Sequence, residues 1–334
     1  MVAIRTLNSY FGVLIFLLGL IGNIWNVLIF RHYSFRSSSI SIYMLIGSLS
    51  NLIYLLINLL NLIVEHGFNG TWRDDSLIWC KSHDYLSQCS SLISLSSLIL
   101  SAIDRFFSTC HQIKWRSLNS PSFAQCISCI VIFLWLSLTI PTLIYSRPNA
   151  FSSIIWSNVH FYFLEFCCHC IFPWLLSSIF SYLALRNVRI NRQCRIAPSE
   201  SLVLTRMAQI DNEFIFIVFS QTILCLLSTI PYCAETIFHI LHQTNKTDSH
   251  KQSILSELIR LISYLNFSLT FYTNFYSSKI FRQLARKVLR NLFKSKQIIS
   301  TQITIINHHQ ETHQTQLTIR PSRTVNITHV AIIS

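Results

Sequence analysis

Three adjacent residues, Asp104, Arg105 and Phe106, end a long uncharged segment and carry chemistry that an apolar environment would make costly. The segment before them, 86–103, contains no ionisable side chain other than the thiol of Cys89. A guanidinium keeps its charge and forms forked hydrogen bonds, so Arg105 can pair with the neighbouring carboxylate. One role for such a pair is to hold a charge until another partner arrives. The other is simply to anchor the end of a helix, and both roles remain open at this point.

The elements that position this pair are apolar and long enough to cross a bilayer. The chain has 334 residues, of which 12% are charged, and its mean hydropathy is +0.45. A soluble chain would carry about 25% charged residues. Seven apolar segments, each at least as long as the ~20 residues of a spanning helix, have the approximate limits 10–30, 40–64, 80–103, 123–145, 160–185, 213–240 and 256–277. We therefore predict an all-α membrane protein built as a seven-transmembrane helix bundle over residues 10–278.

The distribution of basic residues predicts how the bundle is oriented. With residues 1–9 outside, the inner loops and tail hold nineteen Lys and Arg and the outer segments hold six. Basic residues concentrate on the cytoplasmic side, so the N-terminus is expected to be extracellular. Two glycosylation sequons, at Asn69 and Asn245, fall in loops that this topology places outside. The net charge of +13 is therefore attributed to the inner face rather than to nucleic-acid binding.

The chain beyond the last span divides into two parts. Residues 279–293 alternate apolar and basic positions at helical spacing, which predicts an amphipathic helix on the surface of an anionic membrane. Residues 294–334 are rich in Ser, Thr, Gln, Asn and His, which predicts a disordered cytoplasmic tail.

An ordered set of residues on these spans matches a known pattern. Gly22 and Asn23 lie on span one and Asp104-Arg105-Phe106 at the end of span three, and the other matching positions are Asn51, Trp72, Cys80, Trp135, Pro173, Pro231 and Asn266. The set resembles the rhodopsin-like (family A) G-protein-coupled receptors over about residues 10–293, with Phe106 in place of the tyrosine of Asp-Arg-Tyr. It is similar to divergent invertebrate orphan receptors that group loosely with neuropeptide receptors.

The sequence departs from this family at three places. Span six has Ser228-Thr229-Ile230-Pro231 where the family has Cys-Trp-x-Pro. Span seven has 270–274 in place of Asn-Pro-x-x-Tyr, and Tyr276 could substitute for the tyrosine only if the helix shifts. The second outer loop has no cysteine to bridge Cys80, and Cys167 is the nearest candidate. Asn51 stands where the family's sodium-site aspartate is expected, which weakens the case for sodium binding.

The resemblance implies a switch at the inner end of the bundle. Arg105 would pair with Asp104 and with an acid at the start of span six, either Asp211 or Glu213, and release of the pair would let span six move outward. The alternative for the two acids is a favourable interaction with the helix dipole. A ligand cavity is expected between the outer halves of spans three, five, six and seven. Its candidate residues are Ser87, Gln88, Glu165, Glu235, Glu257 and Arg260. The alternative for the charged residues is an internal ion pair, as between Glu257 and Arg260, which lie three residues apart on one helix face.

The function implied is transduction of an extracellular ligand, with a peptide favoured, to a heterotrimeric G protein at the plasma membrane. The tail would offer Ser and Thr residues to a receptor kinase and arrestin, and membrane lipids would contact the basic helix. No enzyme motif, cofactor motif or metal-ligand spacing is recognised in the sequence. The alternatives are a receptor-like protein that does not signal and, less favoured, a transporter or channel. The odd number of spans and the lack of an inverted repeat argue against transport.

Overall fold

The computed structural model describes residues 2–32, 38–68, 77–110, 115, 119–145, 163–194, 202–242 and 254–291. These residues are almost entirely helical, and no strand occurs among them. The helices, in chain order, are α1 (Val2–Leu7, Asn8–Gly12 and Val13–Phe30), α2 (Ser39–Gly67), α3 (Leu77–Thr109), α4 (Pro121–Leu138 and Ile140–Tyr145), α5 (Phe163–Ile171 and Phe172–Cys194), α6 (Leu202–His242), α7 (Ile254–Ser268 and Thr270–Ser277) and α8 (279–291). The prediction of an all-α membrane protein is confirmed.

Six of the described helices, α1 to α6, are long and apolar enough to cross a membrane. The two parts of α7 meet at an angle of 53° and make a seventh span if they are counted together. The outward faces are apolar, as the exposed stripe Leu14, Leu17, Ile21, Ile24 and Leu28 on α1 illustrates. Large exposed hydrophobic residues at helical spacing are expected where lipid rather than water is the solvent. The chain is a multi-pass membrane protein.

Helix α3 occupies the centre of the bundle and packs against α2, α4, α5 and α6, while α7 closes the bundle by packing against α6 and α1. Small residues allow this close approach. Ser90, Ser94, Ser97 and Ser101 form a buried stripe on α3, and a side chain at Gly47 of α2 would collide with the hydroxyl of Ser97. Several of these hydroxyls donate to carbonyls of their own helix, which satisfies them without a partner from another helix.

The two ends of the bundle are called the Asn8 end and the Arg105 end, after one residue at each. At the Asn8 end, the side chains of Arg5 and Ser9 donate to the carbonyl of Gly67 at 3.1 Å each, which joins α1 to the end of α2. At the Arg105 end, the rings of Phe30 and Phe281 lie 5.7 Å apart and join the end of α1 to the start of α8. Polar contacts thus join α1 to α2 at the Asn8 end, and an aromatic contact joins α1 to α8 at the Arg105 end.

The helices extend beyond the spans that hydropathy indicates. Helix α1 begins at Val2, within the predicted extracellular segment 1–9, and α6 begins at Leu202, before the predicted start of its span at 213. Hydropathy does not detect these extensions, because helix formation needs no apolar sequence once a helix is nucleated. The predicted tail, 294–334, lies outside the described residues.

Gly19 of α1 is predicted to be intolerant of a side chain. A Cβ at this position would lie 2.5 Å from Cδ1 of Leu55 and 2.7 Å from Oγ of Ser268. Gly19→Val should therefore lower the free energy of unfolding by about 1–3 kcal/mol through overpacking. Thermal unfolding in nanodiscs, followed by intrinsic fluorescence, measures the effect. Leu17→Val on the lipid-facing side is the control, and equal unfolding temperatures for the two variants would contradict the packing described.

Candidate functional site

The amide of Asn23 is fully buried and uses all of its hydrogen-bonding capacity. Its Nδ2 donates to the carbonyls of Gly19 at 2.8 Å and Phe267 at 2.9 Å. Its Oδ1 accepts from Nδ2 of Asn51 and from Oγ1 of Thr270, each at 3.2 Å. An amide has two donors and two acceptor positions, so every one of them is satisfied. Asn23 thus joins α1, α2 and both parts of α7.

The hydrogen bonds continue from Asn23 through further neutral groups. On one side the hydroxyl of Ser94 donates to Oδ1 of Asn51, which adds α3. On the other side Asn26 donates to Thr270 at 3.2 Å, and Asn274 donates to Asn26 at 3.3 Å. Nε2 of Gln221 then donates to Oδ1 of Asn274 at 2.6 Å, which adds α6. We call this chain of side chains, from Ser94 to Gln221, the amide network.

A small cavity of about 30 Å³ lies beside the amide network. Its lining consists of neutral residues, namely Met44, Gly47, Ser48, Asn51, Ser94, Leu95, Ser97, Leu98, Gln221, Leu224, Asn266 and Thr270. A volume above roughly 15 Å³ with several polar partners is enough for an ordered water. The lining offers no carboxylate, so the chemistry of this donor set suits water better than a cation. Asn51 and Asn266, two of the positions at which the sequence resembles the family, both line this cavity.

Arg105 is a candidate site residue outside the amide network, and it lies buried near the end of α3. Its Nη2 donates to Oδ2 of Asp104 at 2.6 Å, and the two side chains are 2% and 5% exposed. The guanidinium also lies 5.5 Å from the ring centroid of Phe214 on α6, a distance suited to a cation–π interaction. The ring of Phe106 packs 5.6 Å from that of Phe180 on α5. Asp104, Arg105 and Phe106 therefore connect α3 to two neighbouring helices.

Two acids, Asp211 and Glu213, lie at the start of span six, and the structure describes the side chain of Glu213. Glu213 accepts a hydrogen bond from the backbone N–H of Lys279 at 2.6 Å, at the start of α8, and not from Arg105. The physical reason is that the first N–H groups of a helix lack intrahelical partners and are good donors to a carboxylate. The expectation that Glu213 pairs with Arg105 is corrected accordingly. The backbone of Asp211 is part of α6, but its side chain lies outside the described set.

The middle of span six has Thr229 and neighbouring side chains of α5 where the family resemblance leads to a tryptophan. Thr229 is buried and accepts a hydrogen bond from Nε1 of Trp174 on α5 at 2.6 Å. His169 of α5 is 5% exposed, and its ring centroid lies 6.3 Å from that of Tyr232 and 6.2 Å from that of Phe267. Aromatic groups of α5 thus occupy the space beside the short side chain of α6.

The ligand candidates fall into separate places. Ser87 is buried on α3, and both amide atoms of its neighbour Gln88 are buried without a hydrogen-bond partner. Glu257 of α7 is fully buried and lies 3.7 Å from Arg260, which is 39% exposed. Of the two alternatives for Glu257, ligand contact and an ion pair with Arg260, the structure agrees with the ion pair, because the carboxylate is fully buried and held by neighbouring groups.

The other two acids among the ligand candidates are Glu235 and Glu165. Glu235 is half-buried on α6, and the side chain of Glu165 lies outside the described set.

The remaining family positions are distributed as follows. Nε1 of Trp135 donates to Ser96 at 2.7 Å, and Pro173 and Pro231 lie within α5 and α6. Tyr276 is 87% exposed and faces away from the amide network, so Asn274 rather than Tyr276 provides the buried polar group near the end of α7.

Three expectations concern residues at the margins of the described structure. Cys167 is a free thiol on α5, which removes it as a disulfide partner for Cys80. Cys80 lies on α3 without a described side chain, whereas Trp72, Asn69 and Asn245 lie outside the described residues.

Sequence reasoning missed several members of the amide network, although a signal for them exists. Asn266, Thr270 and Asn274 recur every four residues and therefore lie on one face of α7. Asn23 and Asn26 share a face of α1 in the same way. Polar residues at helical spacing within an apolar span must face the bundle interior, because lipid cannot satisfy them. Gln221 gives a weaker signal, because the polar residue that shares its face of α6 is Ser228, whose hydroxyl donates to a carbonyl of its own helix.

Comparison with known proteins finds a similarity over most of the chain. The chain is 24% identical over 306 residues to mouse (Mus musculus) G-protein coupled receptor 171, and the alignment covers 86% of this chain and 91% of that protein. No protein-family model matches the sequence. The similarity extends over most of the bundle, and it suggests a G-protein-coupled receptor.

Replacement of Asn23 tests how much the bundle depends on the amide network. Asn23→Leu removes four hydrogen bonds and leaves the buried amide of Asn51 and the carbonyl of Phe267 with one partner fewer. The free energy of unfolding should fall by about 1–3 kcal/mol. Thermal unfolding in nanodiscs is the measurement, with Asn291→Leu at an exposed position as the matched control. A stability loss no larger than that of the control would contradict the assigned role.

Proposed function

We propose that this chain is a rhodopsin-like G-protein-coupled receptor of the plasma membrane, which transmits the binding of an extracellular ligand to a heterotrimeric G protein. Three observations support the proposal. The described chain forms a bundle of six to seven membrane-crossing helices. Its sequence is similar over most of its length to a protein named as such a receptor. Its interior contains a charged pair at one end and a neutral polar network at its centre.

The buried pair of Arg105 and Asp104 is the observation that carries the proposal. Two charges taken out of water are costly unless they neutralise each other, and removal of one partner leaves an uncompensated charge. A chain that needed only a helix anchor could place these charges at the surface, where they cost little. Instead the guanidinium lies beneath the ring of Phe214 on α6. Any outward movement of that helix would uncover Arg105 and free it for another partner.

The orientation follows from the positive-inside rule. The loops and tail that share a side with Arg105 contain nineteen of the basic residues, against six on the opposite side. The Arg105 end is therefore assigned to the cytoplasm, where a G protein would bind, and the Asn8 end to the extracellular side. The sequons at Asn69 and Asn245 agree with this assignment.

The resting arrangement is held by contacts along one stretch of α6. Phe214 covers Arg105, Glu213 accepts the N–H of Lys279, and Gln221 donates to Asn274. Ser277 of α7 donates to Ser220 at 2.7 Å. Outward movement of the cytoplasmic half of α6 would break all four contacts together, which gives a two-state element. An agonist would shift this equilibrium by the difference between its affinities for the two states.

The ligand is proposed to bind between α3, α5, α6 and α7 at the extracellular half. Among the described residues, Nδ1 of His169 and both amide atoms of Gln88 are buried without a hydrogen-bond partner. Buried polar atoms of this kind are costly unless a bound molecule or water satisfies them. The family resemblance places Ser87 where amine receptors carry an aspartate, so the neutral hydroxyl argues against an amine ligand. A peptide, which offers many carbonyl and N–H groups, fits neutral donors and acceptors best.

Arg105→Ala should abolish stimulated nucleotide exchange, because the variant lacks the group that α6 uncovers. Asp104→Asn is made in the same chain, since it removes the carboxylate that would otherwise stay buried without its partner. Exchange of labelled nucleotide on each class of purified heterotrimer is measured in nanodiscs, without ligand and with a panel of peptides and small molecules. Arg31→Ala, which removes an exposed arginine at the end of α1, is the control. Equal exchange by the wild type and Arg105→Ala would contradict the mechanism. Silence of a folded wild type across the panel would favour the non-signalling alternative.

Gln221→Leu should raise exchange in the absence of ligand. The substitution keeps the size of the side chain but removes its 2.6 Å hydrogen bond to Asn274, so α6 is less firmly held to α7. If the resting state is destabilised by about 1 kcal/mol relative to the active state, the active population rises roughly fivefold. Ligand-free exchange by Gln221→Leu is compared with that of Gln283→Leu, the same change at an exposed position of α8. Ligand-free activity at or below that of the control would contradict the role of Gln221.

A further inference from the structure

A cluster of ionisable groups at the Asn8 end takes no part in the switch described above. The carboxylate of Glu257, in the first turn of α7, is 0% exposed, and its Oε1 lies 2.9 Å from Nδ1 of His66 at the end of α2. Its Oε2 accepts from Nδ2 of Asn8 on α1 at 3.5 Å. One buried carboxylate of α7 therefore contacts the first two helices of the chain, α1 and α2.

The ring of His66 has a carboxylate oxygen near each nitrogen. Nδ1 faces Glu257 at 2.9 Å, and Nε2 lies 3.8 Å from Oε1 of Glu65, which is 42% exposed. A neutral imidazole carries one N–H, so it can donate to only one of these acids. A protonated imidazole carries two N–H groups and a positive charge, so it can donate to Glu257 and attract Glu65 at the same time. The surroundings of this ring therefore match its charged form.

The other charged groups that face the cluster come from α1 and α7. Arg260 lies 3.7 Å from Oε1 of Glu257 and is 39% exposed, so solvent screens part of its attraction. Arg5 directs its Nε to the carbonyl of Gly67, next to His66, rather than to either acid. Among the described residues, the direct ion-pair contacts of His66 are thus with two acids and with no base. Gaining a proton would improve the charge balance immediately around the ring.

We propose that His66, between Glu257 and Glu65, is a proton-binding site through which the Asn8 end of the bundle responds to the acidity of the surrounding solution. Histidine is the side chain whose charge ordinarily changes between about pH 5 and pH 8. A protonated ring can donate to Glu257 and attract Glu65 at the same time, so it holds the junction of α1, α2 and α7 more firmly than a neutral ring, which can donate to one acid only.

The junction is connected to the amide network through α7. Glu257 and Arg260 lie on the same continuous helical segment, Ile254–Ser268, as Asn266, which lines the central cavity. A change in how firmly the first turn of α7 is held would shift the position of this segment. Any effect on nucleotide exchange rests on the proposed receptor function, whereas the effect on the junction itself does not.

The test measures the thermal stability of the purified chain in nanodiscs between pH 5.5 and pH 8, without a G protein. The wild-type Tm should be higher at pH 5.5 than at pH 8 by about 2–4 °C. His66→Asn keeps a neutral donor near Glu257 but cannot gain a proton. The difference in Tm between pH 5.5 and pH 8 should therefore be smaller by the contribution of His66. His66→Arg carries a permanent charge and should give the higher stability across the range. His32→Asn, at the opposite end of the bundle, should retain the wild-type dependence.

The stability test gives its result independently of the signalling experiments, because no G protein is present. A pH dependence in His66→Asn equal to that of the wild type would overturn the proposal, whatever the nucleotide-exchange assays give. If His66→Asn does not fold, hydrogen exchange of 254–268 in the wild type, corrected for the intrinsic rate at each pH, replaces it. Slower corrected exchange at pH 5.5 than at pH 8 would support the proposal, and an unchanged rate would overturn it.

Discussion

The constraint on which this structure depends is that polar groups in a membrane interior must find partners within the protein. Lipid offers no hydrogen bonds, so an unsatisfied amide there costs more than it does at a surface in contact with water. Asn23 meets the constraint completely, because its two donors and its acceptor oxygen contact α1, α2 and both parts of α7. The relative positions of these helices are therefore fixed by the requirements of one side chain. The close approach at Gly19, one turn away, lets that geometry occur.

The chemistry of the interior changes along the bundle. At the centre the amide network is neutral, so its hydrogen bonds can exchange partners or water without separating charges. At the Arg105 end the chemistry is ionic, and the contact of Phe214 with the guanidinium makes α6 part of the shielding of that charge. The two regions meet on α6, where Gln221 belongs to the network and Phe214 to the charged pair. This arrangement suits a helix that moves as a unit, since weak neutral contacts and one shielded charge would respond together.

Much of the fold could be predicted from the sequence, because apolar length alone identifies membrane-crossing segments. The limits of the helices could not, since α1 and α6 extend through polar residues whose helical state depends on the neighbouring span. For the site, Asp104 and Arg105 were found because a charged pair at the end of an apolar segment is conspicuous. Gln221 and His66 were missed because each acts only through a partner on another helix, Asn274 and Glu257, that is distant in sequence. Either Asp211 or Glu213 was expected to pair with Arg105 because both lie at the start of span six, whereas in the structure the backbone N–H of Lys279 donates to Glu213.

The central claim is that the Arg105 end forms a binding surface for a nucleotide-free G protein. The most direct measurement is co-purification of the chain in nanodiscs with each class of heterotrimer after enzymatic removal of guanine nucleotides. We expect a stable complex with at least one class of heterotrimer, and we expect a non-hydrolysable GTP analogue to dissociate that complex. Failure of the folded chain to form a complex with any class, or a complex that the analogue does not dissociate, would contradict G-protein binding at the Arg105 end.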